Sequence, residues 1–188
     1  MWNRIFTILL VLALSGFTHQ AQAGAWRLGG GLQWVEFGDD LDLVDEGFGV
    51  IFSAAYQYND IFSLDFQLGS SAHETVIDDD DDDYDFYDDD DYNFYGYVMI
   101  GGKFSFSPGK FQPYVTVGIS LHSIDFDKFD TVSGEGTYWG IGADVLITPN
   151  HAINFSYRES DWDGEDDNFD FDVNNSYLGV AYNYRFSP

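Results

Sequence analysis

The chain has 188 residues and contains no cysteine, so disulfide bonds cannot stabilise its fold. Its 33 Asp and Glu residues and 7 Lys and Arg residues give a formal net charge of −26, and we expect no nucleic-acid partner. Beyond the N-terminus, no apolar stretch approaches the roughly 20 residues that a transmembrane helix needs. A membrane location would therefore require a closed β-barrel, because lipid satisfies no backbone N–H or C=O group.

The first 23 residues have the features of an export signal. Arg4 charges a short N-terminal region, residues 5–14 form an apolar run, and Ala-Gln-Ala at 21–23 resembles a cleavage site. The run is too short to span a membrane, and the alternative is a buried N-terminal helix. We predict a signal peptide over residues 1–23 and one outer-membrane β-barrel domain over residues 24–188.

Eight later segments alternate between apolar residues and small or polar ones, which is the two-residue period of a β-strand. These segments are residues 25–37, 48–58, 61–70, 94–106, 113–122, 137–147, 152–159 and 176–186. Their connections alternate between long and short, and both the first and the last are long. An even number of strands with this alternation predicts an up-and-down barrel whose termini lie at the short-turn end.

The polar face of the strands distinguishes a membrane barrel from a soluble, lipocalin-like barrel, which has the same alternation. A water-facing exterior should be roughly 25–35% charged, whereas this face is mostly Gly, Ser, Asn, Gln and Thr. Small residues suit the narrow interior of an eight-stranded barrel. The residues expected to form aromatic girdles at the membrane interfaces are Trp26, Trp34, Tyr56, Tyr58, Trp139, Tyr182 and Tyr184. The sequence thus predicts an all-β, eight-stranded, antiparallel up-and-down transmembrane β-barrel.

Five charged residues occupy strand positions whose side chains are predicted to face the barrel interior. They are Arg27, Asp65, Lys103, Asp144 and Arg158. Charges in a narrow lumen must be paired or hydrated, because an unpaired buried charge is costly. We predict a polar plug in which Asp144 and Arg158, on neighbouring hairpin strands, form a direct ion pair. The alternative is an ion path through the lumen.

The acidic residues are concentrated in the four long connections, residues 38–47, 71–93, 123–136 and 159–175. These connections contain 29 of the 33 acids and one cation, Lys128. Carboxylate clusters suit Ca²⁺ or Mg²⁺, although the spacing lacks the glycine and the bidentate Glu of a calcium loop. The candidate ligands are Asp161, Asp163, Asp166, Asp170 and Asp172. Three interpretations stay open: a solvated anionic surface, weak divalent binding that bridges to lipopolysaccharide phosphates, and a dedicated metal site.

The signals for catalysis are weak. Three histidines follow the predicted signal peptide, at His73, His122 and His151. His122 is followed directly by Ser123, so on a strand their side chains point to opposite faces. No nucleophile elbow or zinc motif is present in the sequence. We therefore predict that the chain is not an enzyme.

Three segments carry a family resemblance: Phe-Gln-Pro-Tyr-Val-Thr-Val-Gly at 111–118, Gly-Ile-Gly-Ala-Asp at 140–144 before Thr-Pro-Asn at 148–150, and the closing strand at 177–186. With these, nearly all of residues 24–188 resembles the small outer-membrane β-barrel family, the OmpA-like and OmpX-like barrel domains. The resemblance implies a Gram-negative outer membrane, with the termini in the periplasm and the acidic loops outside. It also implies a C-terminal assembly signal, in which we place Gly179, Tyr182, Tyr184 and Phe186.

The expected partners are outer-membrane lipid, lipopolysaccharide and, during biogenesis, the barrel-assembly machinery; the expected state is a monomer. Three functions are compatible with this interpretation. The first is a structural or surface-interaction barrel that displays acidic loops. The second is a narrow, porin-like ion channel, and the third is a lipid-modifying enzyme of the outer membrane.

Overall fold

The computed structural model describes residues 24–39, 46–74, 92–125, 131–166 and 169–186. The predicted signal peptide lies outside these residues. Within them, eight antiparallel strands form a closed barrel in sequence order, and β1 pairs with β8. The strands are β1 (Ala25–Asp39), β2 (Gly47–Gln57), β3 (Phe62–Glu74), β4 (Tyr92–Ser105), β5 (Phe111–Asp125), β6 (Val132–Thr148), β7 (His151–Asp166) and β8 (Phe169–Phe186). No helix in the described part of the chain is long and apolar enough to cross a membrane.

The two-residue alternation sorts side chains onto two faces of the barrel wall. In β5, Tyr114 and Thr116 are buried inside the barrel, whereas Val115, Val117 and Ile119 are exposed on the outside. The outward face is apolar along the middle of every strand, as lipid requires. The predicted transmembrane β-barrel is confirmed.

A row of aromatic side chains follows the outer face at the short-turn end of β1–β4. The centroid distances are 5.1 Å for Trp26–Tyr56, 4.7 Å for Tyr56–Tyr58 and 5.6 Å for Tyr58–Phe62. Phe104 extends the row, 5.1 Å from Phe62. Amphipathic rings in such a row suit the boundary between lipid and water.

The short turn between β2 and β3 is stabilised by a side chain that replaces a backbone acceptor. Oδ1 of Asn59 accepts hydrogen bonds from the backbone N–H groups of Ile61, at 2.9 Å, and Phe62, at 2.7 Å. An Asn in a tight turn commonly bonds to the backbone in this way. The turn therefore follows directly from the local sequence Asn-Asp at 59–60.

All four connections predicted to be long are shorter than the sequence suggested, because the strands continue beyond the apolar band. The largest difference is in residues 159–175, where β7 and β8 occupy all but residues 167–168. Every second residue of these extensions still faces inward, and Ser160, Trp162 and Val173 are buried. The outward residues there are polar or acidic, so the hydrophobic alternation that marked the strands disappears.

The interior accommodates large side chains because glycines face them. A Cβ atom on Gly118 would lie 2.6 Å from Cε1 of Tyr138 and 2.2 Å from the carbonyl oxygen of Ile100. A Cβ on Gly101 would lie 2.4 Å from the hydroxyl oxygen of Tyr138. Real Cβ contacts are not this short, so the close approach of the tyrosine requires glycine at both positions.

Candidate functional site

A buried charge network fills the barrel near its short-turn end. The fully buried Asp144 accepts hydrogen bonds from Nη1 of Arg27 at 2.6 Å and from Nζ of Lys103 at 2.8 Å. Its second oxygen accepts from Nδ2 of Asn154 at 2.7 Å. Nζ of Lys103 also lies 3.9 Å from the centroid of the Tyr114 ring. One carboxylate thus binds two cations that come from different strands.

The predicted ion pair between Asp144 and Arg158 is not formed. Asp144 lies opposite Asn154, whereas Arg158 lies opposite Gly140, four residues farther toward the long-loop end. At about 3.3 Å per residue, that offset is about 13 Å along the strand. The alternation in the sequence correctly predicted that both side chains face inward from one hairpin. The strand register, however, places them at different distances from the short-turn end of the barrel.

Arg158 lies in the middle of the interior and is 3% exposed. Its Nε and Nη1 atoms have no hydrogen-bond partner in the described part of the protein. Oε1 of Gln67 is likewise without a partner there. The remaining interior charge, Asp65, is 8% exposed and accepts a hydrogen bond from Oγ of Ser63 at 2.9 Å. The five predicted interior charges are therefore all buried, but they do not form one continuous network.

Aromatic and histidine side chains fill the barrel on the long-loop side of Arg158. The Tyr95 hydroxyl is hydrogen-bonded to Nδ1 of His122 and to the hydroxyl of Tyr177. The Trp162 ring stacks on His122 at 4.9 Å, and its Nε1 donates to Oδ1 of Asn175 at 2.6 Å. Tyr95, Tyr177 and Trp162 belong to one buried cluster inside the barrel. The alternation in the sequence gave no signal for Trp162, because this residue lies in residues 159–175, which were predicted to form a long connection.

The outer faces of the strand ends carry carboxylates on the long-loop side. Three of them lie side by side across β6, β7 and β8, where Glu135 is paired with Asp163 and Asp163 with Asp172. All three are exposed. Side chains directly opposite one another have Cβ atoms roughly 4.5–5.5 Å apart, so these like charges repel. Other carboxylates on outward positions at this end are Glu36, Glu46, Glu74, Asp125, Glu159 and Asp161.

The candidate metal ligands all fall on the β7–β8 hairpin. Oδ1 of Asp161 accepts a hydrogen bond from Nδ2 of Asn174 at 2.5 Å. Asp163 and Asp172 belong to the row of carboxylates, and the side chains of Asp166 and Asp170 lie outside the described structure. Among the described side chains, no group of three potential ligands is close enough to hold a metal ion. Divalent binding at this hairpin stays a prediction.

The residues of the predicted assembly signal lie on β8, which closes the barrel against β1. Tyr182 and Phe186 are exposed on the outer face, and the ring of Tyr184 lies 4.6 Å from that of Phe186. Gly179 is paired with Gln33 of β1. The aromatic residues at these positions lie on the outer face of the last strand. That the assembly machinery recognises this strand stays a prediction.

The chain matches the family model of the outer membrane protein beta-barrel domain over residues 6–186. No sequence among the curated proteins matches it. Many solved structures are similar to it. Neisserial surface protein A (NspA) has a TM-score of 0.62 and 17% identity, covering 86% of this chain and 99% of that chain.

Ail is the attachment invasion locus protein of Yersinia pestis and was solved in complex with the heparin analogue sucrose octasulfate. It has a TM-score of 0.60 and 17% identity, and the match covers 87% of this chain and 99% of that chain. OprG from Pseudomonas aeruginosa has a TM-score of 0.61 and 12% identity, and the match covers 89% of this chain and 98% of that chain. At these identities the structural similarity shows the fold alone. The family match extends over nearly the whole chain, and the protein therefore belongs to the family of outer-membrane β-barrel proteins.

Proposed function

We propose that this barrel anchors an acidic surface on the outside of the cell, where it acts through divalent cations and lipopolysaccharide phosphates. The observation that carries the proposal is the row of Glu135, Asp163 and Asp172 on strands that extend past the apolar band. These carboxylates need counter-charge, because like charges at directly opposite positions are destabilising. Hard cations with oxygen ligands supply that charge and also bind phosphate.

The proposal places the termini and short turns in the periplasm and the acidic strand ends outside. Two features support this orientation. Outer-membrane barrels have short periplasmic turns and longer extracellular loops, and the carboxylates lie at the end with the long connections. The other end carries the aromatic row that begins at Trp26.

The filled interior favours an anchoring role over conduction. The Asp144 network lies near one end, and the Tyr95–His122–Tyr177 cluster lies near the other. Buried side chains that are hydrogen-bonded to each other across the lumen hold the strands together and leave little space for ions. Both layers therefore act as structural plugs.

Ail was solved with a sulfated heparin analogue, and the acidic surface of this chain argues against a ligand of that kind. A polysulfated ligand carries the same sign of charge as the outward carboxylates described above, and it would be repelled. We therefore expect this chain to bind cations, or surfaces that display cations, rather than sulfated polysaccharides.

Calorimetric titration of the folded protein with CaCl₂ tests the proposal. We expect weak binding whose heat falls in Asp163→Asn, which removes the centre of the carboxylate row, and in a variant without residues 78–91. Asp60→Asn is the matched control, because Asp60 lies in an exposed turn at the other end of the barrel. Equal heats in the wild type and Asp163→Asn, or no heat from any protein, would contradict divalent binding at this surface.

A narrow channel is the second candidate function. The observation that favours it is the buried Arg158, two of whose nitrogen atoms have no partner among the described residues. If ions pass through the lumen, this guanidinium must control them because it occupies the middle of the path. Arg158→Met would then raise single-channel conductance in planar bilayers while the gel mobility of the folded barrel stayed normal. Our proposal expects no resolved conductance from the wild-type protein. A lipid-modifying activity, the third hypothesis, would show as a change in lipid A mass on overexpression.

A further inference from the structure

The buried interior of the described barrel contains more positive than negative charge. Its buried cations are Arg27, Lys103 and Arg158, and its buried carboxylates are Asp65 and Asp144. Asp144 forms ion pairs with two of the cations, Arg27 and Lys103. One positive charge is therefore left without a neutralising partner in a region shielded from water, which is energetically costly.

Arg158 is the buried cation that forms no ion pair among the described residues. Its guanidinium is planar and always charged, and it needs acceptors for its N–H groups. Two of its nitrogen atoms, Nε and Nη1, are buried and have no acceptor among the described residues. A buried donor without an acceptor loses the hydrogen bonds that water would supply. The structure thus leaves two donors of this side chain, which point in different directions, without an acceptor among the described residues.

That side chain lines a cavity of about 30 Å³ in the centre of the barrel. A single water molecule needs roughly 10–15 Å³ by the same measure, so the cavity holds about two waters, or one small ion with one water. Three of the charged side chains in the lining are the cations Arg27, Lys103 and Arg158, and one is the carboxylate Asp65. With Asp144, which pairs with Arg27 and Lys103, these side chains carry a net charge of one positive unit.

We propose that this cavity binds one small monovalent anion, chloride under ordinary conditions, against the Nε–H or the Nη1–H group of Arg158. The anion would equalise the buried positive and negative charges and accept one of the two unsatisfied hydrogen bonds, and a water molecule would accept the other. The unpartnered Oε1 of Gln67, which cannot face an anion favourably, would accept from a water molecule that shares the cavity. This inference is independent of what the acidic surface binds.

Two water molecules are the competing occupant, and they would satisfy the same donors. Water, however, would leave the surplus charge in place. The two occupants therefore differ in a measurable way. Anion binding makes the stability of the barrel depend on the identity of the salt anion, since a ligand that binds only the folded state stabilises it. Occupancy by water makes stability independent of the anion.

The first test uses the wild-type protein and anomalous diffraction. Crystals grown or soaked in sodium bromide would be measured at the bromine absorption edge. We expect an anomalous peak inside the barrel within hydrogen-bond distance of Nε or of Nη1 of Arg158. A map with no peak at this position, from crystals in which bromide is detected elsewhere, would overturn the proposal.

The second test follows thermal unfolding by the gel mobility of the folded barrel. Samples would contain either sodium chloride or sodium gluconate at equal ionic strength, since gluconate is too large for the cavity. We expect the wild-type midpoint to rise with chloride concentration and to stay constant in gluconate. Arg158→Met, in which the buried charges balance, should have the same midpoint in both salts.

Lys110→Met is the control, because it removes a cation from an exposed turn and should keep the full chloride response. A wild-type midpoint that is equal in both salts would overturn the proposal. So would a full chloride response in Arg158→Met. If this variant failed to fold, the bromide map of the wild-type protein would still decide.

Discussion

Replacement of Asp144 by Asn should strongly destabilise the barrel. The Asp144 carboxylate is the shared acceptor for Nη1 of Arg27 and Nζ of Lys103, at 2.6 and 2.8 Å. Asn has a similar shape but no charge, and its amide group would turn a donor toward one of these cations. Both cations would remain buried and would lose the carboxylate that forms their ion pairs.

The size of the effect follows from the burial of the pair. Removing one partner of a buried ion pair typically costs about 3–5 kcal/mol, because the remaining charge is left uncompensated. With a urea slope of roughly 1–3 kcal/mol per molar, the unfolding midpoint should fall by more than about 1 M. The double variant Lys103→Met/Asp144→Asn should be less destabilised than the sum of its single changes, since it removes one of the two stranded cations.

Urea titration of the protein refolded into lipid vesicles, followed by tryptophan fluorescence, measures this change. Asp60→Asn is the matched control, because it makes the same substitution at an exposed turn residue and should leave the midpoint almost unchanged. Equal midpoints for Asp144→Asn and Asp60→Asn would refute the argument. So would strictly additive effects in the double variant.

Three further predictions concern the wall of the barrel. Gly118→Ala should cost about 1–3 kcal/mol in the same titration, because its Cβ would lie 2.2 Å from a backbone oxygen. Gly30→Ala, with no atom closer than 3.7 Å, should be neutral, and equal effects would contradict the packing described here. Val117→Arg, on the lipid face, should lower the free energy of unfolding by about 2–4 kcal/mol. Ser133→Arg, on an exposed strand end, should change it little. A tolerated Val117→Arg would argue against lipid contact. Asp163→Asn should slightly raise thermal stability in EDTA by relieving repulsion in the carboxylate row, and a loss of stability there would contradict that repulsion.

The number of strands, their faces and the barrel itself were predictable from the sequence, because lipid and lumen demand opposite side chains at alternating positions. Val115 and Val117 on one side of β5, and Tyr114 and Thr116 on the other, follow this rule directly. The strand ends were not predictable by the same rule. Around Trp162 the outward neighbours are Asp161 and Asp163, which face water rather than lipid, so the apolar half of the pattern is missing.

The interior contacts could be predicted only as a set of inward-facing charges. Arg27 and Asp144 are 117 residues apart and lie on β1 and β6, which are not neighbours in the barrel wall. Strand alternation predicts which face of the barrel wall a side chain lies on. It does not predict the position of that side chain along the barrel axis, and this position decides which side chains meet across the lumen. That is why Asp144 was assigned to Arg158 instead of its actual partners, Arg27 and Lys103.

Cysteine labelling on intact cells tests most directly whether the acidic end of the barrel lies outside the cell. The natural chain has no cysteine, so single variants Ser133→Cys, beside the carboxylate row, and Ser107→Cys, in a short turn, each carry one thiol. Normal gel mobility before and after boiling would first show that each variant folds. We predict that a membrane-impermeant maleimide labels Ser133→Cys on intact cells and labels Ser107→Cys only after the outer membrane is permeabilised. The opposite pattern of labelling would contradict the orientation on which the proposed function depends.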